Sequence, residues 1–131
     1  MFGFKKKPQP SIKTESYTLV CDEKYDGWSL KYRDIEFTYS QVSIDLPKVE
    51  TLDLYLSWVH SYKDHFEENV KSMCEGWDDV FADPSKYHIA QIEVESQDCI
   101  AVMILGDDTW GDMGYDIWIE NGVIKNEGFS D

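Results

Sequence analysis

The chain has 131 residues, 42% of them hydrophobic and 15% aromatic. That length fits one domain burying roughly two thirds of its unfolded surface, and the composition is too apolar for a disordered segment. With 26 acidic residues against 12 basic ones the net charge is −14, which excludes direct nucleic-acid binding by the folded part, because phosphates would be repelled.

Residues 1–14, MFGFKKKPQPSIKT, hold Lys5, Lys6, Lys7 and Lys13 and no acid, a local +4. The rest, 15–131, then carries 8 basic and 26 acidic residues, a net −18. The first segment, with Pro8 and Pro10, reads as a flexible basic tail ahead of a single domain over 15–131. It lacks the apolar stretch of a secretory signal. It could touch the acidic body of its own or another copy, or brush an anionic lipid surface through Phe2, Phe4 and its lysines.

Alternating segments follow. SYTLVC (16–21) alternates around Tyr17, Leu19 and Cys21, and Asp26-Gly27 is a turn signal. WSLKY (28–32) puts Trp28, Leu30 and Tyr32 on one face; a two-residue Arg33-Asp34 connection leads to IEFTY (35–39), with Ile35, Phe37 and Tyr39 on one face. VSIDL (42–46) repeats the pattern. Period-2 alternation predicts antiparallel strands with one buried face. The period then changes. Leu52, Leu56, Val59, Phe66, Val70 and Met73 mark one helical face, interrupted at Lys63, with Pro47 before it and Gly76 as its stop. WDDVFADPSKY (77–87) holds one further turn at most. Strands return in HIAQIEVE (88–95), where a phase slip predicts a bulge near Gln91, and in CIAVMIL (99–105), YDIWIE (115–120) and VIKNEGF (123–129). Asn121-Gly122 is the strongest hairpin signal in the chain. The predicted fold is α+β: an antiparallel β-meander, one long helix packed on the sheet, and a second β-meander ending in a hairpin.

The stretch GDDTWGDMGYDIWIENG (106–122) concentrates carboxylates, glycines and aromatics. As an EF-hand starting at Asp108 it places Trp110 at position 3 and Met113 at position 6, so the calcium pattern fails. His60 and His65 are five apart, off the helical stacking of a zinc pair, and His88 stands alone. No nucleophile elbow, phosphate-cradling glycine loop or Cys/His constellation is present, so the sequence implies no catalytic residues, no metal site and no cofactor. Cys21, Cys74 and Cys99, widely spaced and without a CxxC, read as reduced buried thiols of a cytoplasmic protein. No run approaches the roughly 20 apolar residues of a membrane span. Trp28, Trp58 and Trp77 sit near apolar positions and are expected in or beside the core. Trp110 lies among Asp and Gly, and Trp118 falls on the polar phase of its strand. Rings ringed by carboxylates resemble interface anchors with a polar rim; the alternative is a hydrophobic plug beneath a hairpin loop.

IEVESQDCIAVMILGDDTWGDMGYDIWIENGVIKNEGF, preceded by YDGWSLKYRDIEFTYSQVSIDL and an acidic helix, resembles a family of small acidic bacterial α+β domains of unassigned reaction, similar to immunity proteins that neutralise a cognate toxin. The resemblance covers most of residues 20–129 and rests on the order of elements and on Asp107, Asp108, Trp110, Gly111, Asp112, Gly114 and Tyr115. It implies a non-enzymatic binding protein whose partner is a basic protein such as a toxin domain, for instance a nuclease. The candidate contacts are Asp107, Asp108, Trp110, Asp112, Tyr115, Asp116 and Trp118, with Asp78 and Asp79 as a second patch. Two alternatives stay open: a small enzyme or metal-dependent protein using the loop carboxylates, and a structural module that self-associates through its basic tail.

Overall fold

The computed structural model describes residues 11–22, 27–40, 46–75 and 83–130. Eight strands form one sheet in chain order: β1 (Ser11–Lys13), β2 (Thr18–Asp22), β3 (Gly27–Tyr32), β4 (Ile35–Tyr39), β5 (Tyr87–Ser96), β6 (Cys99–Gly106), β7 (Gly114–Glu120) and β8 (Val123–Ser130). Two helices, α1 (Val49–Ser61) and α2 (Lys63–Glu75), lie between β4 and β5.

The alternation accounts for the strands. Leu19, Leu30 and Phe37 pair across β2, β3 and β4, and Phe37 pairs with Ile92 of β5; all four are buried. Ile100, Val102 and Ile104 of β6 continue the apolar face, matched by Tyr115, Ile117 and Ile119 of β7. Two hairpins turn through residues with positive φ: Arg33 and Asp34 (50° and 63°), and Asn121 and Gly122 (51° and 78°). These are the dihedrals that a two-residue connection needs to match strand twist, and Asn-Gly meets them at least cost. The register of β5 against β6 shifts between Ile89 and Gln91, where the phase slip places a bulge. Ser11–Lys13, within the stretch read as a tail, pair with β2 as a short edge strand. Most of VSIDL, together with Gly76 and Trp77, lies outside the described residues.

Two features correct the predicted architecture. First, the sheet is not a pair of antiparallel meanders. β4 and β5 run parallel, which joins both halves into a single mixed sheet. Parallel neighbours need a crossover, and the helical segment supplies it. Second, there is no single long helix. The chain breaks at Tyr62 (φ −102°, ψ 11°), whose N–H donates to the Val59 carbonyl and whose own carbonyl accepts from Phe66. A straight helix over both segments would run roughly 40 Å, against roughly 25 Å for the strands beneath it. Breaking at Tyr62 keeps both halves over the sheet. The apolar spacing could not reveal it, because the seven-residue step from Val59 to Phe66 also suits a continuous helix.

Both helices pack on the same face. Leu52, Tyr55, Leu56 and Val59 of α1 and Phe66 and Val70 of α2 join the buried strand residues in one core. Tyrosine hydroxyls tie the layers at 2.7 Å each: Tyr17 donates to the Pro47 carbonyl, Tyr55 to that of Gln97 and Tyr62 to that of Gly122. Among the described residues no helix is long and apolar enough to cross a membrane.

Candidate functional site

Between β6 and β7 the chain makes one turn of 3-10 helix, Asp108–Trp110. Asp107 caps it: its Oδ1 accepts from the backbone N–H of Thr109 (2.9 Å) and from the Thr109 hydroxyl (2.7 Å). Those bonds hold the Asp107 carboxyl below its ordinary range. The Thr109 hydroxyl in turn accepts from the N–H of Asp83 (2.9 Å), and the Trp110 indole donates to the Asp83 carbonyl (2.6 Å). The loop is therefore stitched to the segment that enters β5.

Trp110 is only 2% exposed. Its ring lies 6.4 Å from that of Tyr87, which meets Phe66 edge-on at 4.7 Å. Gly106 makes room for it, since a Cβ there would fall 1.8 Å from Trp110 Cγ. Tyr115 is equally buried, with Phe129 edge-on at 5.1 Å. Neither ring is available to a partner, which corrects both as docking contacts: the loop composition promises solvent, but α2 and Tyr87 seal the rings in. Asp107, Asp108 and Asp112 are exposed at the end of the sheet, while Asp78 and Asp79 lie outside the described residues.

Asp116 and Trp118 have a different setting. On β7 they alternate with the buried Tyr115, Ile117 and Ile119, so they project from the sheet face opposite the helices. Among the described residues no helix covers that face. A rung runs straight across it: Ser11, Val20, Ser29, Thr38, Glu93, Ala101, Trp118 and Asn126 are successive partners from β1 to β8. A second row holds Glu36, Gln91, Met103, Asp116 and Gly128. Trp118 and Met103 are 41% and 42% exposed. They flank a shallow groove of about 450 Å³, whose lining includes Ala101, Gly128, Gln91, Glu93 and Asp116. Small residues on the floor and large ones on the rim make the hollow.

The face is acidic. Glu36, Glu93, Glu95, Asp116 and Glu120 are all exposed on it. Burial pushes the Glu93 carboxyl up, and Glu95, two residues on and on the same face, adds to the shift. Burial likewise pushes up the Cys99 thiol, opposed by the neighbouring Trp118 indole. Such an arrangement favours an incoming cation over further anionic charge. Sequence reasoning found Asp116 and Trp118 but missed Glu36, Glu93, Glu95 and Met103. Their signal was present: each occupies the off-core phase of its strand.

One polar cluster has no signature in the sequence. His65 and Asn69 of α2 meet β8 and β7. The His65 Nε2 lies 2.8 Å from a Glu127 carboxylate oxygen, and Asn69 donates to the same carboxylate and to the Tyr115 hydroxyl (3.1 Å). Burial pushes the Tyr115 hydroxyl up to about 12, so it stays protonated at neutral pH. With Glu127 engaged by both helix side chains, the cluster works as a tether between α2 and the sheet. Among the described residues no three His, Cys, Asp or Glu side chains are grouped to hold a metal. No family model, curated protein or solved structure matches the chain.

Proposed function

We propose that this chain is a non-enzymatic binding protein that docks a basic protein partner on its open sheet face. The observation that carries the reading is Trp118, exposed beside a groove and near carboxylates on a sheet face that no helix covers among the described residues. A half-exposed indole beside small residues suits a desolvated anchor, and the flanking acids suit a polar rim. The area suits a small interface. Seven spacings of about 4.8 Å by about 20 Å of strand approach the roughly 800 Å² per partner of an ordinary interface. Mutual repulsion between Glu93 and Glu95 is a cost that a partner's lysine or arginine would relieve.

The resemblance to immunity proteins suggests what such a partner is: a toxin domain whose basic, phosphate-binding surface the acidic face would occupy. The test is calorimetric titration with the product of a neighbouring gene. Binding should weaken as salt rises and fall by at least tenfold in Trp118→Ala. Equal affinity in Trp118→Ala and in a Glu93→Gln, Glu95→Gln double variant would place the interface elsewhere.

A further inference from the structure

Resting on the open-face reading, we propose that the groove beside Trp118 seats one arginine side chain of the partner, its guanidinium stacked on the indole and its N–H fork turned to the Glu93 carboxylate. The rung across the sheet sets the geometry. Glu93, Ala101 and Trp118 are successive partners on β5, β6 and β7, and all three line the groove. At about 4.8 Å per strand, Glu93 and Trp118 stand about 10 Å apart, with only the Ala101 methyl group between them. A guanidinium over Ala101 comes within about 6 Å of the indole on one side and within hydrogen-bond reach of a glutamate on the other.

The second row completes the seat. Asp116 precedes Trp118 by two residues, about 7 Å along the strand, and lines the groove together with Met103. Its partner on β8 is Gly128, which adds no side chain to the hollow. The apolar stem of an arginine can lie on Met103, while Asp116 offers a second acceptor. The two carboxylates are open to an incoming cation. Among the described residues the ion pairs are Arg33–Asp53 and His65–Glu127, so neither Glu93 nor Asp116 has a cationic partner. Gln91, on the same wall as Glu93, donates to the Thr38 hydroxyl at 2.9 Å instead.

The site suits a guanidinium better than an ammonium. A guanidinium is planar and weakly hydrated, so it lies on an aromatic face and keeps its fork free for a carboxylate. A lysine ammonium is compact and strongly hydrated. It gains mainly from charge, which the whole acidic face offers, and little from this particular pairing of ring and acid.

The test uses the full chain and two decapeptides of lysine and tyrosine at one salt concentration, differing only at a central position that is arginine in one and lysine in the other. Binding is followed in ¹H–¹⁵N spectra by the Trp118 indole N–H and the Ala101 amide. The arginine peptide should bind roughly three- to tenfold tighter. In Trp118→Leu, which keeps an apolar side chain and removes the aromatic face, the Ala101 amide should report equal affinity for both peptides. Glu93→Gln should shrink the preference without abolishing it. Equal affinity of both peptides for the parent chain, with Trp118 responding to each, would overturn the arginine seat while leaving the open-face reading intact. A preference that survives undiminished in Trp118→Leu would place the arginine elsewhere and likewise overturn it. Binding of both peptides with no response at Trp118 or Ala101 would remove the open-face reading along with the seat.

Discussion

Trp110 and Trp118 stand eight residues apart in one acidic stretch, yet they have opposite fates. Trp110 sits in a loop between aspartates and glycines and is buried beneath it, its indole donating to the Asp83 carbonyl. Trp118 sits in a regular strand and faces outward. In a strand the alternation of side chains is fixed by the backbone, so neighbours of known burial decide where a ring points. In a loop no such rule holds, and contacts from distant parts of the chain decide. Here they come from Asp83, Tyr87 and, one ring further on, Phe66.

Stability and binding should therefore separate along these two residues. The largest effect is expected at Trp110→Ala, which empties a core site and should cost about 3–5 kcal/mol in denaturant unfolding. Gly106→Ala should follow at about 1–3 kcal/mol or more, because the new Cβ falls onto the Trp110 ring. Removing the Tyr115 hydroxyl in Tyr115→Phe leaves Asn69 one acceptor short and should cost about 1 kcal/mol by the same method. Trp118→Ala should stay within about 0.5 kcal/mol of the parent chain, as surface changes do, while its binding suffers. A Trp118→Ala as damaging as Trp110→Ala would break the contrast.

The smallest effect concerns pH. Glu93 has a folded carboxyl raised above its unfolded value of 4.5, chiefly by burial and then by Glu95. Its ionised form is therefore disfavoured in the folded state. The penalty is absent below the unfolded value and complete above the folded one. Glu93→Gln should accordingly gain slightly in melting temperature at pH 7 and show no gain near pH 3.5. Asp83 and Asp107 have the opposite sign. Their carboxyls are lowered by bonds from Ser85 and Thr109, so their contribution is present above the unfolded value of 3.8 and is lost as pH falls through the folded one. Asp107→Asn should accordingly lower the melting temperature at pH 7 but not once the carboxyl is protonated in both states, so its stability falls less on acidification than that of the parent chain.

Much of the sheet is readable from residue pattern alone. The β3–β4 hairpin, the Asn121-Gly122 turn and the bulge before Gln91 each leave a local mark of turn chemistry or broken phase. The parallel contact of β4 with β5 leaves none, since a strand's own residues do not state the direction of its neighbour. The Tyr62 break leaves only Lys63 interrupting the apolar face, and one charged residue does not by itself mark the end of a helix. Of the candidate site, Asp116 and Trp118 were legible because β7 alternates cleanly. Glu93 and Met103 became part of it only once β5, β6 and β7 were known to be adjacent. The His65–Glu127 contact joins residues 62 positions apart and could not be anticipated.

The most direct measurement is the response of the indole N–H resonances when the chain is titrated with a basic partner or a lysine- and tyrosine-containing peptide. The Trp118 signal should move, together with the amides of Glu93 and Ala101, while the Trp110 signal stays fixed. A Trp118 signal that holds still while binding proceeds, or a response centred on Trp110 and the 107–112 loop, would contradict docking on the open face.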